Sequence, residues 1–487
     1  MTEAQSPSSL KKRSMTAMLW SGADVFMRQG VQFIVAVILA RLLSPEEFGT
    51  IALLYLFTGI ASVFIEGGFS SALVQKQDAS HIDESTVFWI NLAMGFFAAL
   101  ILWAIAPWIA KFFGYPILVP LTGILALSLA INSLGGIHLV LFRKRLDFKR
   151  PMIVSAVAAI VSGTTAIVLA LKGYGVWALA WQTVIASFVS TLLLWVASSW
   201  RPSFAFSLKS ARSLFRYGSY LMISALLDIA YNRIYSLLIG KLYGVRDLAF
   251  YNRADNTKQI PVEVLSGTLA RVAFSVFCKV ADDKEKLRFG VRSSLKGMML
   301  INLPIMFGLM AAAENVIYVL FGENWLPAVP ILQILSFAGV FWPLHVINLT
   351  ALQAQGHSNL FLRLEIIKKV IGVAFLAIGA SFGVIGIAWS QAAFGLVGFF
   401  INAHYTKVYL DYGVKDQSLD TLPLLVLSML MAVIVHMLGL MTELSHYFLL
   451  PLQVVGGALV FLVMAYVFRL QALTDLLQII RNKNAVR

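Results

Sequence analysis

Runs of about 20 apolar residues, the length that crosses a bilayer core, recur along this chain almost from end to end, with short polar stretches between them. The pattern predicts fourteen spans, at approximately 15–40, 47–65, 86–109, 118–141, 152–171, 176–198, 215–240, 248–275, 294–313, 328–352, 362–381, 384–404, 421–440 and 447–468. The runs are continuous and do not alternate polar with apolar positions, so they read as helices and not as barrel strands. Composition agrees: 59% of residues are hydrophobic and 13% charged, with a mean hydropathy of +0.81. A soluble domain with that balance would expose large apolar patches. The fold class expected is therefore an all-α integral membrane protein.

Charge orients the spans. Of 38 Lys and Arg residues, 28 fall in segments that are cytoplasmic if the N-terminus is inside, among them Lys11 to Arg13, Arg143 to Arg150, Lys279 to Lys296, and Arg363, Lys368 and Lys369. Six lie outside or at span ends (Arg41, Lys111, Lys172, Lys241, Arg246, Arg253) and four inside spans. Such an excess predicts both termini in the cytoplasm. It also accounts for the net charge of +14 without nucleic acid, which is not expected as a partner. The polar stretch before the first span lacks the pattern of a signal peptide. A single cysteine, Cys278, excludes a disulfide framework and cysteine metal sites.

The charges kept inside spans carry the chemistry. A charge at bilayer depth costs roughly 3 kcal/mol or more, so it persists where it faces protein or a wet cavity. In the first span Asp24, Arg28 and Gln32 follow one another at four-residue spacing on one helix face. The seventh holds Asp228 and Asn232 on a shared face with Arg233 beside them. The eighth is the most polar: Asp255, Gln259, Glu263, Gly267 and Arg271 recur at four-residue steps, with Lys258 beside them and Pro261 expected to act as a hinge. Arg28, Arg233, Lys258, Arg271, Gln32 and Asn232 are candidate cavity residues. The acids Asp24, Asp228, Asp255, Glu263 and Glu66 are candidates for a coupling ion or for structural pairing. Two readings stay open for this set, a polar cavity or a network of ion pairs that ties helices together. Arg suits phosphate or pyrophosphate, because its fork bonds two oxygens and keeps its charge.

Phosphate-loop, nucleophile-elbow and zinc-protease signatures are missing from the sequence, so neither cofactor, metal nor catalytic residue is expected. Asp282-Asp283 lies in a loop of mixed charge and reads as an ordinary surface pair. The expected outside loops are short. Their acids, Glu46, Glu47, Asp247, Glu314, Glu323 and Glu443, stand singly or beside span ends, a poor basis for glycosyl transfer.

A weak echo at an offset of 200 residues aligns Leu39–Phe48 with Ile239–Leu248, and Gln32 with Asn232. It suggests two parallel six-helix lobes. The expected organisation is a cytoplasmic segment 1–14, an N-lobe 15–198, a linker 199–214, a C-lobe 215–404, an appended pair 421–468 and a cytoplasmic tail 469–487. His436 is the lone ionisable group within the appended spans and reads as a packing residue. The pair is expected to be peripheral or lipid-binding.

Four stretches carry a family resemblance: Leu39–Gly49 (LARLLSPEEFG), Gly68–Lys76 (GFSSALVQK), Phe321–Trp325 (FGENW) with Pro330–Leu335, and Asp282–Arg288 (DDKEKLR). With them the chain resembles the polysaccharide exporters of the multidrug/oligosaccharidyl-lipid/polysaccharide flippase superfamily, in particular the Wzx-type, colanic-acid-exporter-like branch. The resemblance implies a pair of helix bundles around a cationic cavity in the bacterial inner membrane. It implies a substrate of undecaprenyl-pyrophosphate carrying an oligosaccharide repeat, flipped by alternating access for exopolysaccharide, capsule or O-antigen assembly. Membrane lipids and the polysaccharide polymerase or assembly machinery are the implied partners. The mixed acids depart from a purely cationic cavity. The rival readings are a drug/cation antiporter or a peptidoglycan-precursor flippase of the same superfamily and, from another class, a membrane polymerase or ligase acting on lipid-linked glycans.

Overall fold

The computed structural model describes residues 29–66, 68–76, 78–470 and 473–474, as α-helices and short turns with no β-strand among them. Among the described residues, eleven helical stretches are long and apolar enough to cross a membrane. The protein is an all-α, multi-pass membrane protein. Its contacts divide into two compact units, Met1–Ala249 and Phe250–Arg487.

The first unit holds α1 (described over Gln29–Leu42), then α2 (Pro45–Glu66), α3 (Phe69–Gln75), α4 (His81–Phe113), α5 (Leu118–Lys144), α6 (Lys149–Leu171), α7 (Val176–Ala197) and α8 (Leu208–Leu242). Local chemistry sets the helix ends. At the start of α2, Glu47 Oε2 accepts from the Ser44 N–H at 2.7 Å and from its hydroxyl at 3.0 Å. Pro45 fills the first helical position, where its missing N–H costs nothing. A capping box of Ser80 and Asp83 opens α4, and Gly114 in the left-handed region (φ 82°) closes it, a conformation that favours glycine. The α4 helix packs on α5, and α8 lies against α2, α3 and α4.

Residues 199–207, the first part of the expected linker, are bonded onto the first turns of α4. Trp89 Nε1 donates to the Ser203 carbonyl at 2.8 Å, and the Ser207 N–H donates to Thr86 Oγ1 at 3.1 Å. Residues 208–214 already form the opening turns of α8. Beneath this strap, Phe69, Leu73, Phe88, Leu141, Trp200 and Leu214 form a buried cluster.

The second unit takes in most of α9 (Val245–Lys279), then α10 (Lys284–Ala311), α11 (Ala313–Phe321), a 3-10 turn Glu323–Ala328, α12 (Val329–Gly339), α13 (Trp342–Ala354), α14 (Ser358–Gly379), α15 (Gly383–Leu410), α16 (Val414–Met441) and α17 (His446–Val467). Two expected spans differ in form. The tenth consists of two helices, α12 and α13, each with a proline in its first turn. The eighth, α9, is a 35-residue helix that stands outside the eleven apolar stretches, as its polar residues dictate.

Polar clamps fasten the appended helices, expected to be peripheral, to this unit. Arg292 grips Asp420 at the start of α16 through two bonds of 2.6 Å, and Lys296 adds a third contact at 3.1 Å. Deeper in, Asn348 and Gln417 exchange two hydrogen bonds of 2.9 and 2.8 Å while fully buried. Asn315 of α11 donates to Gln453 of α17 at 2.8 Å. A buried amide that lost its partner would be costly, so the sites of these clamps are strongly specified.

Candidate functional site

Each unit presents its own part of the expected polar set. In the first unit Gln32 is exposed on α1, while Asp24 and Arg28 lie outside the described residues. Glu66 is the last residue of α2, and nothing is described of its side chain. On α8, Asp228, Asn232 and Arg233 are all exposed.

The setting of these three residues follows from how α8 is held. In the N-terminal third of α8, Gly218 meets Gly68 backbone to backbone, and a Cβ on Gly218 would stand 2.4 Å from the Gly68 carbonyl oxygen. Near the other end Tyr235, Ser236, Ile239 and Gly240 are buried. Between these anchors no residue from 219 to 234 is buried. The middle of the helix is open, and its charged and amide side chains stand there.

In the second unit the polar residues of α9 largely satisfy one another. Lys258 is buried, its stem against Gly339, and its ammonium pairs with Asp255 Oδ1 at 2.7 Å. Gln259 Nε2 donates to Glu263 Oε1 at 3.4 Å, a long and weak bond. Arg271 belongs to α9, but nothing is described of its side chain. Helix α9 runs through Pro261. The structure therefore brings Asp255 together with Lys258, and Gln259 with Glu263.

Sequence reasoning missed two features of the second unit. Lys368, counted among the cytoplasmic loop cations, is 6% exposed and pairs with Glu365 at 2.5 Å within α14. Both positions fall inside the expected span 362–381, and that placement was the available signal. Arg253, counted as an outside residue, is buried with its guanidinium carbon 4.7 Å from the Phe321 ring centroid and 4.9 Å from that of Trp325. Among the described residues no three His, Cys, Asp or Glu side chains are grouped so as to hold a metal ion.

A multi-pass helical protein that keeps ionisable groups along its spans has the build of a membrane transporter. The fold is similar to that of a solved lipid II flippase MurJ in an inward closed conformation, with a TM-score of 0.74 over 93% of this chain and 98% of that one, at 18% identity. An inward-facing multidrug resistance MATE family transporter is similar with a TM-score of 0.61 over 81% of this chain. Residues 38–330 match the family described as Polysaccharide biosynthesis protein, and the chain belongs to that family. It is 26% identical over 93% of its length to the teichuronic acid biosynthesis protein TuaB of Bacillus subtilis, covering 95% of that protein. It is 25% identical over 78% of its length to the lipopolysaccharide biosynthesis protein WzxC of Escherichia coli, covering 78% of it. The succinoglycan biosynthesis transport protein ExoT of Rhizobium meliloti is 29% identical over 74% of the chain and is covered over 73% of its own length.

Proposed function

We propose that the protein is a flippase that carries an undecaprenyl-pyrophosphate-linked oligosaccharide from the cytoplasmic to the outer leaflet of the bacterial inner membrane, for surface polysaccharide assembly. The observation that carries this reading is its family membership, with similarity along 93% of its length to a polysaccharide biosynthesis protein. It is a transporter and not an enzyme.

On this reading the membrane is crossed fourteen times, with both termini inside. The eleven apolar stretches supply twelve crossings, because Asn359–Leu410 holds both α14 and α15. The first span and α9 supply the other two. Two lobes, 15–198 and 215–404, rock about a cavity that opens first to one side and then to the other. Arg28, Arg233, Lys258 and Arg271 offer positive charge to the pyrophosphate, with Gln32 and Asn232 as neutral donors. Asp24, Asp228, Asp255, Glu263 and Glu66 either take up a coupling ion or balance those cations. Pro261 is the hinge of α9, and the appended pair supports the second lobe. The polymerase and assembly machinery receives the product.

The test is export in cells that lack their own exporter. Arg28→Ala or Arg271→Ala is expected to abolish surface polysaccharide while the protein remains in the membrane and the lipid-linked precursor accumulates. Full export by both variants would sink the assignment of these residues. Gln at Glu314, Glu323 and Glu443 is expected to leave export intact, and loss of activity there would favour a glycan polymerase or ligase.

A further inference from the structure

The first turns of α8 carry both charge and apolar surface on their outer side. Ser210, Leu214 and Gly218 are buried and mark the side turned to the rest of the first unit. At about 100° per residue, the opposite side presents Phe215, Leu208, Arg212, Arg216 and Lys209 in that order, around an arc of about 120°. All five are exposed, with Leu208 at 78%. In the strap just before them Phe204 is 94% exposed and Phe206 half exposed, although Phe204 stacks on Trp89 at 5.6 Å between ring centroids. Among the described residues, Lys209, Arg212 and Arg216 form no ion pair.

Depth and charge together limit what covers this arc. The turns from Leu208 to Leu214 precede the expected span 215–240. They rise about 10 Å at 1.5 Å per residue, enough to traverse a headgroup layer of about 5–8 Å. Cations flanked by large apolar side chains at that level match an anionic lipid. Its phosphate meets the guanidinium forks, and the upper part of its acyl chains meets Phe and Leu. The chain's own ends have the wrong sign to compete. Segment 1–14 holds Lys11, Lys12 and Arg13 against Glu3, and 469–487 holds Arg469, Arg481, Lys483 and Arg487 against Asp475. We propose that the end of the strap and the first turns of α8 form a binding site for an anionic phospholipid of the cytoplasmic leaflet. The strap is the covalent link between the two expected lobes, so a lipid held here fixes the point at which α8 enters the membrane. The inference needs only this end of α8 at a membrane surface, and a result against it leaves the flippase reading untouched.

Thermal melting of the full-length protein in neutral detergent tests it, with dioleoylphosphatidylglycerol or dioleoylphosphatidylcholine added. The anionic lipid is expected to raise the melting temperature and the zwitterionic one to leave it in place. Lys209→Gln, Arg212→Gln and Arg216→Gln combined should raise the lipid concentration for half the shift about tenfold or more, and Arg212→Gln alone about fivefold. The single variant serves where the triple one does not purify. Phe206→Ser with Leu208→Ser should also weaken the effect, and Arg212→Lys with Arg216→Lys should keep most of it. Arg143→Gln, Lys144→Gln and Arg145→Gln remove the same charge from the turn between α5 and α6 and are expected to change the midpoint less than about twofold. Equal shifts with the two lipids overturn the inference, as does an equal loss in the two triple variants, which would mean a diffuse attraction. A full shift with inorganic phosphate alone also overturns it, because the acyl chains would then play no part.

Discussion

Arg253 lies under the rings of Phe321 and Trp325, and Trp325 is itself fully buried. A desolvated guanidinium on two aromatic faces gains roughly 2 kcal/mol. Arg253→Ala is expected to lower the melting temperature of the purified protein. Arg253→Lys should recover only part of that, because an ammonium does not stack. Asp83 is a second such residue. Burial pushes its carboxyl up, but bonds from Lys76, Ser210 and Ser80 outweigh that and hold it well below the ordinary value of 3.8. Its stabilisation is present above the unfolded value and lost as pH falls through the folded one. Asp83→Asn is therefore expected to cost about 1–3 kcal/mol at pH 7, and the gap should shrink below about pH 4 in thermal melts across pH. These residues explain what the family motifs are for. Ser44, Pro45 and Glu47 cap α2, and a Cβ at Gly49 would stand 1.7 Å from the Val245 carbonyl oxygen. Asp283 caps α10, and Lys284 pairs with Asp411. The motif residues that could be read directly from the chain are corners and caps, which is why they identify the family and say little about the sugar.

Helices were legible wherever an apolar run was long enough, since backbone groups in lipid must be satisfied within the segment. What stayed hidden was where a helix pauses and what it leans on. The break between α12 and α13 falls within Phe337–Leu344, where every residue is apolar, so hydropathy gives no sign of it. The clamp between α10 and α16 joins residues 128 positions apart, and neither Arg292 nor Asp420 announces its partner. Burial raises the Asp420 carboxyl, yet Arg292, Lys296 and Tyr412 together hold it below its ordinary value. Asp420→Ala would leave Arg292 and Lys296, one turn apart on α10, without the acid they share. The expected loss is about 1–3 kcal/mol, with the lower end allowed because Arg292 is half exposed. Faster proteolysis at residues 411–413, with α10 unaffected, would mark the loosening as local to this element. Unchanged cleavage and melting would mean that the buried Gln417–Asn348 pair holds α16 alone.

At the scale of the whole molecule, the all-helical membrane architecture could be read from hydropathy, and the division of contacts could not. A weak repeat at an offset of 200 residues places the start of a second lobe in α8, yet α8 packs with the first unit and the contact boundary falls at Ala249. Repeat and packing are different properties: one records how the sequence is organised, the other which surfaces are buried together. The candidate site was legible in the same partial way. Charges in spans marked Asp228, Asn232 and Arg233, while the open middle of α8 depends on glycine contacts far apart in sequence. Orientation in the membrane is the property on which every assignment of inside and outside rests, and the chain carries its own reporter for it. Cys278 is the single cysteine, it is exposed, and it lies one residue before Lys279, at the start of a cytoplasmic loop by the Lys and Arg excess. A membrane-impermeant maleimide is expected to leave it unlabelled in intact spheroplasts and to label it in inverted vesicles. With Cys278 replaced by Ser and cysteine placed at Lys172, the pattern should reverse, because the turn after α6 falls on the opposite side. Labelling of native Cys278 in intact spheroplasts would invert the topology and turn the direction of transport with it.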